Sequence, residues 1–217
     1  HEKRVKNIYL PKVKFLKSVV KKKISVLEIG SGAGHFLKAC ELKKISAIGY
    51  ETNKDLINIG KKKLKKNKIF YLYLDKSIQQ VLNERNSNTL VLISVLEHLE
   101  EPHKILKFFK KTKMKYLYIC VPLFSLSALI ENSFKNIYPR QLGGPHTHLY
   151  TKESLYYFAK KHKLKIIGEW WFGTDFPDLY RSLINSSNSN LPKYKPHINK
   201  YLFSQIDTLQ SVLDKNK

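Results

Sequence analysis

A chain of 217 residues can hold one domain of ordinary size, with or without an appendage, but not a string of modules. Hydrophobic residues make up 42% and charged ones 26%, a globular balance that excludes a disordered or fibrous chain. The net charge of +23 raises nucleic acid, anionic membranes and acidic substrates as partners, although only Arg4, Arg85, Arg140 and Arg181 among the 40 basic residues are arginine, the group that forks onto phosphates.

The first expected element is a packing helix over residues 9–20, with Leu10, Val13, Leu16, Val19 and Val20 at helical spacing. Lysines interrupt the first 25 residues, so no signal-peptide core is expected there, and no apolar run approaches the roughly 18 residues of a membrane span. The chain opens on His1 and not on methionine, which leaves room for residues ahead of it. Five short apolar runs follow at βαβ spacing: 24–29, 46–50, 69–74, 90–94 and 116–121. They are continuous and not alternating, as in parallel strands covered on both faces. Between them the period becomes helical, with Phe36, Leu37 and Cys40 on one face, then Leu56, Ile57, Gly60 and Leu64, then Ile105, Leu106 and Phe109. The lysines from Lys61 to Lys68 close the second of these helices, where positive charge suits a helix C-terminus and a solvated face. Cys40 and Cys120 fall in a helix and a strand, as reduced core residues of a cytoplasmic protein.

A loop-rich insert is expected over 122–150, then a helix with Thr151 as N-cap that buries Leu155, Phe158, Ala159 and His162, and a sixth strand over 164–172. Residues 185–190 read as a loop. A last amphipathic helix is marked by Ile198, Tyr201, Leu202, Ile206, Leu209 and Leu213. The resulting organisation is a packing helix over 1–23, a doubly wound, Rossmann-like α/β domain over 24–172, and a C-terminal loop and helix over 173–217.

The most informative segment is Val26-Leu-Glu28-Ile-Gly30-Ser-Gly32-Ala-Gly34-His-Phe36. A strand ends in a glycine turn and a helix begins at once, so amide N–H groups and the positive helix end are expected to face an anionic group above the turn. A dinucleotide fingerprint, Gly-x-Gly-x-x-Gly, needs its third glycine at position 35, where His35 stands; the third glycine is Gly34. Glu51, about 20 residues after the first glycine, is spaced to accept both ribose hydroxyls, in NAD as well as in other nucleosides. Asp75 offers an acceptor for an adenine amino group, with a turn or N-cap role as the plain alternative.

With these residues in hand, the chain resembles the class I S-adenosylmethionine-dependent methyltransferases, and within them the small-molecule group that includes the ubiquinone O-methyltransferases. The resemblance rests on residues 27–37, on Gly49-Tyr-Glu51, on Ser94-Val-Leu-Glu97-His98-Leu-Glu-Glu-Pro102, on Val121-Pro122 and on the segment from His148 to Leu155. It implies S-adenosyl-L-methionine as cofactor, with Glu28, Gly30, Ser31, Gly32 and Gly34 around the methionine moiety, Glu51 and Thr52 at the ribose, Asp75 at the adenine and Ser94 lining the cofactor side. It also implies a seventh, antiparallel strand after the last helix. The sequence stops at Lys217 before one, so the natural chain is expected to continue or its sheet edge to be covered otherwise.

The implied reaction is methyl transfer to oxygen or nitrogen of a small-molecule acceptor, with RNA, or cofactor binding without catalysis, as alternatives. A base is needed if the acceptor is a hydroxyl. His98, His146 and His148 are the candidates, since they fall on loops at the carboxyl ends of the strands. Each has the structural alternative of pinning its own loop. Glu97, His98, Glu100 and Glu101 offer oxygen-rich ligands, but neighbouring side chains diverge, and no metal is expected. Trp170, Trp171, Phe172 and Tyr150 are read either as an acceptor wall or as core.

Overall fold

The computed structural model describes residues 1–73, 78–83, 86–133, 141, 143–144, 146–173, 175–185, 196–197, 200–201 and 205–215. The chain forms two compact units, residues 1–121 with 158–168 and residues 122–157 with 169–217.

The first unit is built on five parallel strands: β1 Ser25–Ile29, β2 Ser46–Glu51, β3 Lys68–Tyr71, β4 Thr89–Ile93 and β5 Tyr116–Cys120. Their order is β3-β2-β1-β4-β5. The chain winds outward from β1 to β3, then returns to lay β4 on the other side of β1. Such a reversal opens a crevice at the carboxyl ends of β1 and β4, where doubly wound sheets bind ligands. Every residue of β4 is buried, as its unbroken apolar run requires. The helices are α1 Leu10–Val19, α2 His35–Leu42, α3 Lys54–Lys63, α4 Ile78–Asn83 and α5 Pro102–Lys110. Val13, Leu16, Phe36, Leu37 and Cys40 meet Val26, Ala47 and Val91 in one core. Asn53 starts α3 by accepting the N–H groups of Asp55 and Leu56 at 2.9 and 3.1 Å. Ahead of α1 the chain is already helical from Glu2, with one widened π-type stretch at Val5–Tyr9. His103 Nδ1 and His162 Nε2 lie 2.8 Å apart beside Phe158. Burial, then the neighbouring His103 charge, lowers the His162 pKa.

The second unit holds α6 Leu126–Ser133, α8 Asp175–Asn185 and α9 Ile206–Lys215, with a bridge between Leu123 and Tyr150. Asp175, buried, ties these helices together. Its Oδ1 accepts from the Ser127 N–H and hydroxyl, both at 3.1 Å, and its Oδ2 from Gln210 Nε2 at 3.3 Å. α7 Lys152–Lys161 begins as expected at Thr151, which exchanges side-chain hydrogen bonds with Ser154 in a capping box.

Four expectations are corrected. Residues 164–172 form no strand, and Ile166, Ile167, Trp170 and Phe172 are exposed. A strand exists only through a ladder partner, and among the described residues none pairs with this segment. Of the four residues expected to be buried by α7, Phe158 and His162 are, while Leu155 and Ala159 are half-buried. Tyr201 is 68% exposed and lies outside α9, whose buried residues are Ile206 and Gln210. Helices α6 and α8 replace stretches read as loop.

Candidate functional site

β1 delivers its chain into the glycine turn at the switch point. Gly30, Gly32 and Gly34 have φ of +71°, +52° and +71°, backbone that side chains rarely adopt. A Cβ on Gly30 would meet Val95 Cγ2 at 2.6 Å, whereas above Gly32 nothing lies within 4 Å. The turn is tied down by β2: the N–H groups of Gly30 and Ser31 donate to the Tyr50 carbonyl at 2.9 and 3.0 Å. The Gly32 N–H donates to Glu51 Oε2 at 2.7 Å, and Gly34 N–H to the Ser31 carbonyl at 2.9 Å.

These bonds correct the expectation that the turn's amides point at an anion for Gly30, Ser31, Gly32 and Gly34, whose N–H groups are used internally, and a Glu51 carboxyl oxygen borders the open face over Gly32. Glu51 Oε1 accepts from the N–H groups of Thr52 and Asn53 at 2.8 and 2.9 Å, and from the Thr52 hydroxyl at 3.3 Å. Glu28 is 2% exposed, and its Oε2 has no hydrogen-bond partner; neither has the buried Ser31 Oγ. Burial, reinforced by the Glu51 charge, raises the Glu28 pKa well above the usual carboxylate range. A cradle of acceptors repels diphosphate and suits hydroxyls and cations. A ribose with an ammonium and a sulfonium supplies these, so the residues present fit S-adenosyl-L-methionine, and Glu28, Ser31, Gly32, Glu51 and Thr52 would hold it.

The N-terminal segment, read as packing only, also reaches this end of the sheet. Tyr9 is raised in pKa by burial and by the Glu28 charge, and its hydroxyl is hydrogen-bonded to Arg4. Lys12, buried in α1, lies against the Cys120 thiol. His35, where the dinucleotide fingerprint would have glycine, stacks on Tyr9 at 5.3 Å, and burial and Arg4 lower its pKa to about 4. The signal was in the spacing: Tyr9, Lys12 and Leu16 share one helical stripe, so Lys12 occupies an apolar position.

Ser94 directly follows β4 with φ +53°, left-handed backbone at a non-glycine residue, and its N–H donates to the Cys120 carbonyl at 2.8 Å. The short 3₁₀ turn Leu96–His98 follows, with Glu97 1% exposed and His98 in solvent. Glu101 faces Lys104 at 3.2 Å, while Glu97 and His98, expected to diverge, bring ligand atoms within 4.8 Å of one another. In the second unit, His146 Nδ1 donates to the Gln141 carbonyl at 3.1 Å, and His148 Nδ1 lies 2.9 Å from the Thr147 hydroxyl. Trp170 and Phe172 are 40% and 39% exposed, against the core reading, while Tyr150 is buried. Asp75 lies outside the described residues.

A family described as "Methyltransferase domain" matches residues 1–168. None of the curated proteins matches the chain. Among solved structures, an S-adenosylmethionine-dependent methyltransferase of Archaeoglobus fulgidus shares 24% identity at a TM-score of 0.52, covering 70% of this chain and 66% of that one. This chain therefore spans just under two thirds of that protein's length. The magnesium protoporphyrin IX methyltransferase of Synechocystis, with S-adenosylhomocysteine bound, reaches a TM-score of 0.60 at 12% identity, covering 81% and 78%. A methyltransferase of Haloferax volcanii, solved with its Trm112 activator, gives 0.52 at 12%, covering 73% and 71%. At such identities these are likenesses of fold. Together with the match over most of the sequence, the sheet order and the acceptor-lined glycine turn, they identify the chain as a member of the class I S-adenosylmethionine-dependent methyltransferases.

Proposed function

We propose that the chain transfers a methyl group to an oxygen or nitrogen of a small-molecule acceptor, a ubiquinone-like phenol being one case. The observation that carries this reading is the acceptor-rich cradle, where Glu51 grips the glycine turn and buried Glu28 keeps an unpaired oxygen. When bound, the cofactor supplies a methyl group already attached to a good leaving group, so the protein's work is alignment and proton removal. Glu51 and Thr52 receive hydroxyls, and Glu28 and Ser31 receive the ammonium end. Ser94, whose left-handed backbone directly follows β4, is the expected cofactor-side contact at the carboxyl end of that strand. Of the base candidates His98, His146 and His148, His146 is favoured, because its Nδ1–H donates to a carbonyl and so holds the ring in one tautomer. Asp75 remains the expected adenine contact. The Synechocystis enzyme, named for a porphyrin substrate, supports a small-molecule acceptor; the charge of +23 favours RNA as the second reading.

Calorimetry with S-adenosylhomocysteine and NAD side by side tests the cradle, using the parent and Glu51→Gln. The substitution puts an amide donor against the Gly32 N–H and is expected to weaken S-adenosylhomocysteine at least tenfold, with no measurable NAD binding. NAD preference, or an affinity indifferent to Glu51→Gln, overturns the assignment. A screen of phenols, amines and RNA for methyl uptake then separates the acceptor classes; uptake by RNA alone removes the first reading.

A further inference from the structure

The second unit contains a cavity that the methyl-transfer reading does not use. It measures about 400 Å³, within the range of small-ligand sites. One wall is the segment Trp170-Trp171-Phe172 and the other is one face of α9, where Asp207, Gln210 and Asp214 recur at helical spacing. We infer that this cavity binds a small organic ammonium ion.

Aromatic rings supply half of the argument. Trp170 and Phe172, two residues apart, are 40% and 39% exposed with ring centroids 4.8 Å apart. The same segment already seats a cation of the protein itself, since Lys152 Nζ lies 5.1 Å from the Trp171 ring centroid. Charge supplies the other half. Among the described residues of the lining, two carboxylates accompany one ammonium, that of Lys215, and buried Asp175 stands behind Gln210. The Gln210 amide donates to Asp214 Oδ1 at 2.8 Å, which fixes that carboxylate on the cavity side of the helix. In a chain of net charge +23, a lining with excess negative charge concentrates cations against the field of the whole. Ring faces offer no oxygen ligands, so a compact metal ion gains little here, whereas a weakly hydrated alkylated ammonium gains both ring and carboxylate contacts.

The inference concerns binding and holds whether or not the ligand is also a methyl acceptor. Trp170 and Trp171 are the two tryptophans of the chain, so intrinsic tryptophan emission reports on this cavity. The full chain is titrated at constant ionic strength with choline and with its neutral isostere 3,3-dimethylbutan-1-ol. A saturable emission change with choline, at least tenfold weaker for the alcohol, is expected. Asp207→Asn with Asp214→Asn should weaken choline about tenfold while leaving S-adenosylhomocysteine affinity unchanged. Equal response to the two probes, or no saturable response, overturns the proposal on the unmodified chain alone. So does a folded double variant that binds choline as the parent does. A failed cofactor titration instead leaves the choline result standing, so the two readings fall separately.

Discussion

Glu28 illustrates how a site residue is set apart from a core residue by what it lacks. Its buried oxygen has no partner, and burial with the Glu51 charge raises its pKa. From its ordinary value of about 4.5 upward, the folded chain then binds more protons than the unfolded one, so stability falls as pH rises through that window. Glu28→Gln stays neutral and is expected to melt above the ligand-free parent at about pH 8 and level with it below about pH 4. Parity at the higher pH would mean the carboxyl is better solvated than the structure shows. Gly32 separates folding from binding in another way. Alanine there meets no atom, but its left-handed backbone costs about 1–2 kcal/mol and its methyl enters the cradle. A small drop in melting temperature with at least a tenfold loss of S-adenosylhomocysteine affinity is expected; equal loss of both would reduce Gly32 to a turn residue. The glycines and Glu51 were legible because spacing after a strand is local information. Lys12 and Tyr9 were not, because a charge on an apolar stripe acquires meaning only when the far partner, Cys120 or Glu28, is known to face it.

At the scale of elements, segments held by their own sequence were legible and segments held by distant partners were not. Continuous apolar runs marked all five strands, although only β4 is buried throughout while β5 is half-buried along its length and β3 buries one residue. Residues 164–172 have the same composition, yet pairing is decided elsewhere in the chain. α8 was missed although Asp175 and Pro177 open it as helix starts prefer and Phe176, Leu179 and Tyr180 follow at helical spacing. A non-local tie of the same kind is testable at Glu41. Its Oε1 accepts three successive N–H groups, from Lys65, Lys66 and Asn67 at 2.9, 2.6 and 2.8 Å, and its Oε2 takes Lys38 Nζ at 2.9 Å. Burial raises its pKa, but these donors outweigh burial and bring it to about 2. A lowered folded-state pKa gives stability that is complete above about 4.5 and is lost as pH falls toward 2. Glu41→Ala should therefore cost about 2–3 kcal/mol at neutral pH by urea unfolding, and clearly less at about pH 3. A cost that does not shrink in acid would assign the loss to packing.

For the whole molecule, the question is whether its charge of +23 acts on the cofactor site. The densest run, Lys61 to Lys68, is exposed throughout at its lysines. Near its end, Asn67 Oδ1 accepts the Ala47 N–H at 3.0 Å, at the start of β2, whereas Glu51 closes that strand four residues later. At about 3.3 Å per residue the separation is roughly 13 Å, longer than the Debye length of about 8 Å at physiological salt. The Asn67 end of the run is therefore screened from Glu51, although Leu64 within the run lies beside Gly34, and the main effects expected of these lysines are solubility and weak attraction for polyanions. Replacing Lys65, Lys66 and Lys68 together by glutamine should leave S-adenosylhomocysteine affinity within about twofold at 0.15 M salt. The same variant should bind RNA less than the parent at low salt, with a shallower logarithmic salt dependence, because fewer counterions are released. If methyl transfer to an RNA acceptor collapsed in this variant while cofactor affinity held, the lysines would be part of a substrate groove, and the small-molecule reading would give way to the nucleic-acid one.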